Sequence, residues 1–378
     1  MTSNADRAAV PAMDIAARLG RLREAMTEAG PDRSAVEALF VTNITNVRYL
    51  TGFTGSAALL LVGPDDLLFV TDGRYRDQAA EQLSAAGVDA RIEISGVGQR
   101  EIVKQAAAGY GRIGLEAHTV TWAQQRSFEQ EWFDAAQVVP THHVVERLRR
   151  IKDAGEIARI SAACRIADEA FAAVAPRLAE RPTEAEFALE LEFAMRRMGA
   201  EAVSFEPIVA AGPNGAKPHA RPGSRHIEPG ELVVLDFGCK VDGYCSDMTR
   251  TVSVGDPGAD ARRMWDVVEE SQAAGRAAVR AGAVSADVDR ACREVIEAAG
   301  WGDAFLHGTG HGVGLDIHED PRVASTSRDT LAVGHVVTVE PGVYLTGAGG
   351  VRIEDTVVVT ETGCDVLTTT PKELLVGA

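Results

Sequence analysis

The stretch LDFGCKVDGYCSDMTRT, residues 235–251, places two aspartates in a region that otherwise has the composition of β-strands. Strands are depleted in Asp, so Asp236 and Asp247 need an explanation. The Asp-Gly dipeptide between the two apolar runs favours a type I′ turn and predicts a β-hairpin. With that dipeptide as the loop, Asp236 lies opposite Thr249 and shares a face with Asp247. The hairpin therefore predicts two neighbouring carboxylates, which either bind a cation or are solvated surface acids.

Length and charge limit the function classes that this chain can serve. The chain has 378 residues, 46% of them hydrophobic and 25% charged, which predicts a globular protein of two domains. Its net charge of −17 argues against nucleic acid or an anionic membrane as partner, and is compatible with metal cations and substrates that carry an amine. No run approaches the ~20 apolar residues of a membrane span.

The cysteines and the N-terminal segment indicate a reducing compartment. Five cysteines are scattered along the chain without a CxxC pair, which is typical of thiols that stay reduced. Residues 1–20 contain acids and no continuous apolar core, unlike a secretory signal. We therefore expect a cytoplasmic protein.

The order of strand and helix patterns predicts two domains of different class. In residues 1–146, short strands such as ALFVTN and AALLLVG alternate with helical segments, which predicts a small α/β domain. Residues 147–378 contain two helices followed by strands, and then two more helices followed by strands. This pattern predicts an α+β domain with an internal pseudo-repeat.

Further acids and imidazoles stand in strands or glycine-rich turns, where they are uncommon. The three segments are FLHGTGHGVGLDIHE (residues 305–319), VVTVEPGVY (336–344) and GVRIEDTVVV (350–359). With the hairpin they provide four acids and an imidazole, namely Asp236, Asp247, His311, Glu340 and Glu354. Four carboxylates cannot be buried together as anions unless cations neutralise them, which two divalent ions would do. The oxygen-rich set suits Mn²⁺, Co²⁺ or Zn²⁺.

The ordered motifs LDFG…SDMTRT, GTGHGVG, VEPGVY and VRIEDT resemble those of the dinuclear metallopeptidases of the pita-bread fold, which include aminopeptidase P, prolidase and methionine aminopeptidase. The first third, with VRYLTGFTGSAALLLV and VTDGRYRDQA, resembles the creatinase-type N-terminal domain of the Xaa-Pro branch. The resemblance covers nearly the whole chain. It implies a creatinase-like domain over residues 1–146 and a pita-bread catalytic domain over residues 147–378.

The resemblance also implies roles for individual residues. The metal ligands would be Asp236, Asp247, His311, Glu340 and Glu354, with Asp247 and Glu354 touching both ions. Three histidines would contact the substrate: His219 at the mouth, His318 at the scissile bond and His307 on the proline side. Arg352 and Tyr344 would lie outside the ligand set and orient the carboxylates that bind the metals.

The implied reaction is hydrolysis of the bond between an N-terminal residue and proline. A hydroxide activated by two metal ions, Mn²⁺ foremost, would attack the peptide carbonyl. Glu340 would move the proton to the leaving nitrogen, and His318 would help stabilise the oxyanion. Expected substrates are small peptides with proline second, and analogy predicts a homodimer. Dipeptides and longer peptides stay open as substrates, as do the native metal and the residue before proline.

Two other interpretations fit the same fold. One is a metal-free hydrolase of the creatinase type, and the other is a binding protein that has lost catalysis. Both predict missing ligands, whereas all five ligand positions are retained here.

Overall fold

The structure is a computed structural model that describes residues 10–375. The described chain divides into two compact units. One consists of residues 13–149, and the other of residues 150–375 together with residues 10–12.

The first unit alternates helices and strands, as its sequence pattern predicts. In chain order its elements are α1 (Ala16–Met26), β1 (Ala38–Val41), α2 (Ile44–Thr51), β2 (Ala58–Val62), β3 (Leu67–Thr71), α3 (Arg76–Ala85), β4 (Arg91–Ile94), α4 (Gln99–Ala107), β5 (Arg112–Glu116), α5 (Trp122–Ser127), β6 (Gln137–Thr141) and α6 (Val144–Arg149).

These six strands form one mixed sheet in the order β4-β3-β2-β1-β5-β6. β1, β2 and β3 pair antiparallel, whereas β5 pairs in parallel with both β1 and β6. All residues of β1 and β3 are buried, which explains their nearly continuous apolar sequence. Phe40 of β1 packs edge-on against Phe128 and Phe133, with ring centroids 5.1 and 5.2 Å apart.

The second unit contains four long helices and most of the strands. Its elements are α7 (Ala154–Val174), α8 (Glu184–Arg197), β7 (Ala202–Val203), β8 (Ile208–Ala211), β9 (Leu232–Phe237), β10 (Cys239–Val241), β11 (Tyr244–Cys245), β12 (Met248–Ser253), α9 (Ala259–Ala278), α10 (Ser285–Ala298), β13 (Gly310–Gly312), β14 (Glu319–Val323), β15 (Val336–Val339), β16 (Gly342–Leu345), β17 (Gly349–Arg352), β18 (Asp355–Val359) and β19 (Cys364–Val366).

Its sheets follow the predicted repeat of helix pair and antiparallel strands. After α7 and α8 come a sheet of order β12-β9-β8 and a small sheet of order β11-β10-β7. After α9 and α10 come a sheet of order β14-β13-β15-β18-β19 and the hairpin β16-β17. The two larger apolar clusters of this unit contain Phe171, Phe187 and Phe237 in one case and Val268, Val339 and Val357 in the other.

Two of the long helices begin at the capping residues that the sequence indicates. Asp153 accepts a hydrogen bond from the amide of Glu156, whose carboxylate accepts one from the Asp153 amide. Thr183 and Glu186 form the same reciprocal arrangement at the start of α8. These capping boxes satisfy amides at the first turn, which otherwise have no partner.

The hairpin of residues 235–251 has the predicted register but not the predicted continuous strands. Asp242 and Gly243 have φ of 47° and 75°, as a type I′ turn requires, and Asp236 lies opposite Thr249. The second strand breaks, however, so that Asp247 lies between β11 and β12. At the break the Ser246 hydroxyl accepts a hydrogen bond from the Cys239 amide. The two parts of the broken strand, β11 and β12, belong to different sheets.

The state of the cysteines and the hydropathy of the described helices match what the composition predicts. All five cysteines are free thiols, and four of them are buried. Among residues 10–375, none of the helices has the length and hydropathy that a membrane span needs. Residues 1–9 of the N-terminal segment lie outside the described residues, so the expectation that it is not a secretory signal stays a prediction.

Candidate active site

The five residues predicted to bind metal come from both halves of the second unit. Asp236 is in β9 and Asp247 directly precedes β12. His311 is in β13, Glu340 directly follows β15, and Glu354 lies between β17 and β18. All five line one cavity of about 560 Å³. The two halves of the repeat therefore meet in a single carboxylate-rich site.

His311 presents an unprotonated nitrogen to the carboxylates. Its Nδ1 donates a hydrogen bond to the Gly312 carbonyl at 3.0 Å, and since a carbonyl only accepts, the ring proton is on Nδ1. Its Nε2 lies 3.5 Å from Asp247 Oδ2 and 3.3 Å from Glu340 Oε1. Ligand atoms of Asp247, His311 and Glu354 all lie within 4.8 Å of one another. A lone pair that faces ionised carboxylate oxygens at this range repels them, and a proton or a metal cation between the atoms removes that repulsion.

Burial changes the pKa values of four groups in this cluster, namely Asp247, His311, Glu340 and Glu354. It raises the pKa values of Asp247 and Glu354 well above their usual range, and neighbouring carboxylates raise them further. Burial likewise raises the pKa of Glu340 to about 8 and lowers the pKa of His311 to about 3. These directions show that the protein alone does not stabilise the charged forms, which is expected of a site that binds cations.

In both Asp236 and Glu354, one carboxylate oxygen accepts a hydrogen bond from the protein, and the other has no partner among the described residues. Arg352 Nη2 donates to Asp236 Oδ2 at 2.6 Å, and the Thr249 hydroxyl donates to Glu354 Oε2 at 2.6 Å. Among the described residues, the remaining oxygens, Asp236 Oδ1 and Glu354 Oε1, are buried without a hydrogen bond. Such orphaned buried acceptors are rare in proteins, and a metal ion would satisfy both. The donor set present thus fits the divalent ions that the sequence predicts.

A chain of hydrogen bonds connects His307 with this cluster. Arg352 Nη1 donates to the Tyr344 hydroxyl at 2.7 Å, and Tyr344 lies 2.8 Å from His307 Nε2. His307 Nδ1 donates to the Gly308 carbonyl at 2.8 Å, so Nε2 accepts from Tyr344. Burial lowers the pKa of His307 to about 4, which keeps the ring neutral. Both nitrogens are therefore engaged, and His307 offers the cleft only its carbon edge.

His219 and His318 differ from His307 in being available. Both are exposed, both line the cavity, and neither makes a hydrogen bond to another of the residues 10–375. The ring of His318 packs edge-on against His311, with centroids 4.3 Å apart and an angle of 72°. Burial and the nearby Arg322 lower the pKa of His318. These two imidazoles can donate to a bound substrate.

Nine of the ten predicted residues line the cavity, and Tyr344 lies behind Arg352 and His307.

Sequence reasoning missed Thr249, although its position opposite Asp236 was predicted. It also missed Arg322, which lines the cavity, is exposed and forms no ion pair with residues 10–375. The signal for Arg322 was its position four residues after His318 in DIHEDPRV.

Comparison with known proteins identifies the family. The profile of metallopeptidase family M24 matches residues 158–361, and that of the creatinase/prolidase N-terminal domain matches residues 18–151. The chain belongs to metallopeptidase family M24. It is a metallo-exopeptidase with a creatinase-type N-terminal domain and a pita-bread catalytic domain, which confirms the predicted enzyme class and fold.

Three relatives illustrate the similarity within family M24. The Xaa-Pro dipeptidase of Pyrococcus furiosus is 35% identical over 346 residues, 91% of this chain and 97% of that protein. The structure of a Xaa-Pro dipeptidase from Bacillus anthracis matches with a TM-score of 0.89 and 39% identity, and covers 96% of this chain and 99% of that one. The X-Pro aminopeptidase of Thermotoga maritima matches with a TM-score of 0.83 and 34% identity, and covers 90% and 97% of the two chains.

Proposed function

We propose that this M24 metallopeptidase hydrolyses the bond between an N-terminal residue and proline, with dipeptides as its preferred substrates. The observation that carries the proposal is a cavity that holds the carboxylate-rich cluster together with two imidazoles and an arginine, none of which has a hydrogen bond or ion pair with residues 10–375. Relatives that cover nearly the whole chain are named Xaa-Pro dipeptidase or X-Pro aminopeptidase, which supports the same substrate class.

Two divalent ions would be held by Asp236, Asp247, His311, Glu340 and Glu354. Asp247 and Glu354, the most deeply buried of the acids, would bridge the two ions. Four carboxylates give hard oxygen donors and the imidazole adds one nitrogen, so Mn²⁺ is the proposed native metal, with Co²⁺ or Zn²⁺ as substitutes. When bound, the ions would supply a nucleophile at neutral pH by lowering the pKa of water.

Glu340 is placed to move the proton. Its Oε1 accepts a hydrogen bond from the Thr338 hydroxyl at 3.2 Å and faces His311, whereas its Oε2 has no partner among the described residues. Oε2 would take the proton of the attacking water and deliver it to the leaving nitrogen. His318 would donate to the carbonyl oxygen as negative charge develops there. The proline nitrogen must gain this proton to leave as a neutral amine, as any amide nitrogen must.

The cavity can recognise both ends of a small peptide. A free N-terminal ammonium would be attracted to the acidic cluster, and its loss would leave those acids beside an uncharged amide. The carbon edge of His307 and the apolar side chains of Phe205 and Ile317 would receive the proline ring, with His219 at the mouth. Arg322 would pair with the C-terminal carboxylate, a group that lies next to proline only in a dipeptide. This last contact favours dipeptidase over aminopeptidase P activity.

A side-by-side assay with Mn²⁺ at pH 7–8 tests the proposal. We expect rapid hydrolysis of Ala-Pro, slower hydrolysis of Ala-Pro-Ala, much slower hydrolysis of Ala-Ala, and none of N-acetyl-Ala-Pro. Equal rates on Ala-Ala and Ala-Pro would remove the specificity for proline. Rapid cleavage of the acetylated peptide would show that the ammonium is not recognised. A faster rate on the tripeptide would favour the aminopeptidase P type instead.

Charge and composition support a proposal for the compartment and the partners of the enzyme. A net charge of −17 disfavours nucleic acid and anionic membranes, and free thiols suit the cytoplasm. We propose a cytoplasmic homodimer whose partners are small peptides. Light scattering on the purified protein would give the mass of one chain, rather than two, if the dimer proposal is wrong.

A further inference from the structure

Three histidines collect at one edge of the six-stranded sheet in the first unit. His118 follows β5, and His142 and His143 follow β6. Because β5 and β6 are parallel neighbours, their carboxyl ends lie at the same edge of the sheet. The Ala117 amide donates to the Thr141 carbonyl at 3.0 Å, which continues the pairing up to the histidines.

Two of these imidazoles have the spacing of ligands that share one ion. His142 Nδ1 and His118 Nε2 share a hydrogen bond of 3.2 Å, so the two ring nitrogens already point at each other, and all three rings are exposed. Two nitrogens bound to one ion at ~2.0–2.1 Å, with an angle between square-planar and tetrahedral, are about 2.9–3.4 Å apart. The ring of His143 stacks on His118, with centroids 3.7 Å apart and an angle of 17°. This stack limits the rotation of the His118 ring.

The backbone beside His142 is held in an uncommon conformation. His143 has a φ of 51°, in the left-handed region that residues other than glycine rarely adopt. The His142 carbonyl accepts a hydrogen bond from the Arg147 guanidinium at 2.7 Å, and the His143 carbonyl accepts one from the Arg147 amide at 2.9 Å. Such strain persists where surrounding contacts impose it, and it is concentrated at functional sites.

We propose that His118 Nε2 and His142 Nδ1 bind a Zn²⁺, Ni²⁺ or Cu²⁺ ion at the surface of the N-terminal unit, with water completing the coordination. Imidazole pairs favour these ions, whereas the oxygen-rich cluster of the catalytic unit suits Mn²⁺. The chain would thus carry two metal sites of different selectivity, one buried and carboxylate-rich and the other exposed and nitrogen-based. This inference is independent of the proposed substrate.

Retention on immobilised Ni²⁺ distinguishes the two sites. The protein is used full-length, without a histidine tag and loaded with Mn²⁺. The buried carboxylate cluster cannot reach an ion fixed to a resin, whereas the exposed pair can. We expect the parent to be retained and released by imidazole, and His118→Ala and His142→Ala each to lose retention. His226→Ala is the matched control, because His226 is exposed but far along the chain from the pair, and it should be retained like the parent.

The fold of each variant is checked by thermal melting. A variant that melts like the parent yet flows through the resin supports the site. If an alanine variant melts early, His118→Gln and His142→Gln replace it, because an amide keeps a polar group of similar size but binds Ni²⁺ poorly. A parent that flows through, or histidine variants that are retained like the parent, would refute the site.

Discussion

The hydroxyl of Thr249 donates a hydrogen bond to Glu354 Oε2 at 2.6 Å, although the two residues are 105 positions apart. The same hydroxyl oxygen accepts from Arg352 Nε at 3.1 Å. Arg352 in turn donates to Asp236, the strand partner of Thr249. One threonine therefore orients carboxylates from both halves of the repeat.

Replacing Thr249 by valine should weaken metal binding. The substitution keeps the shape of the side chain but removes the donor to Glu354, whose carboxylate then loses its fixed orientation. Loss of such an outer contact typically lowers metal affinity ~10–100-fold. Titration of the metal-free variant with Mn²⁺ would measure this change. Thr71→Val is a control, because Thr71 is equally buried and donates to the Ala57 carbonyl in the other unit. An unchanged Mn²⁺ affinity in Thr249→Val would contradict the assigned role.

Metal removal should abolish activity. We expect a chelator to stop hydrolysis of Ala-Pro and Mn²⁺ or Co²⁺ to restore it, because the ions lower the pKa of the attacking water. Asp247→Asn should lose bound metal as well as rate, since an amide is a weaker ligand and carries no charge. Asp260→Asn, an exposed site at the start of α9, is the control. If Asp247→Asn holds two ions per chain and turns over at the parent rate, Asp247 is not a ligand.

Substitutions at Glu340 and His318 should have different effects on metal binding and on the rate of hydrolysis. His318→Ala should keep its metal and lose ~10²–10³-fold in kcat, the usual effect of removing one oxyanion donor. Glu340→Gln should lose both metal and rate, because its carboxylate faces His311 within the cluster. Metal analysis beside steady-state kinetics checks both. A metal-free His318→Ala protein would show that His318 supports the cluster itself.

Replacing Arg322 should weaken the binding of substrates with a free C-terminal carboxylate and leave other substrates little affected. Arg322→Met should raise the KM for Ala-Pro about 10-fold through the loss of one charged hydrogen bond in a partly solvated site. The rate on Ala-Pro amide, which lacks the carboxylate, should change little. Arg221→Met is the matched control, because Arg221 also lines the cavity but lies 3.8 Å from Glu206. Equal effects on the acid and the amide would show that Arg322 does not read the carboxylate.

Local rules in the sequence predicted much of the fold. The turn at residues 242–243 determines the register that places Asp236 opposite Thr249, because both turn residues adopt positive φ. The capping boxes at Asp153 and Thr183 start α7 and α8 where the sequence indicates. Helix α2 was not predicted, because its residues Ile44–Thr51 make only about two turns, and five of these eight residues are buried.

The sequence by itself determined the family motifs, the order of helices and strands, and the set of acids and imidazoles that share the cavity. Only the tertiary structure decided how those groups are used. It showed that both nitrogens of His307 are engaged while those of His318 are not, that the strand breaks at Asp247, and that Thr249 reaches Glu354. Turns and caps are set by neighbours within a few residues of sequence. The hydrogen bonds of the site join segments a hundred residues apart, and they form only when the two halves of the repeat pack together.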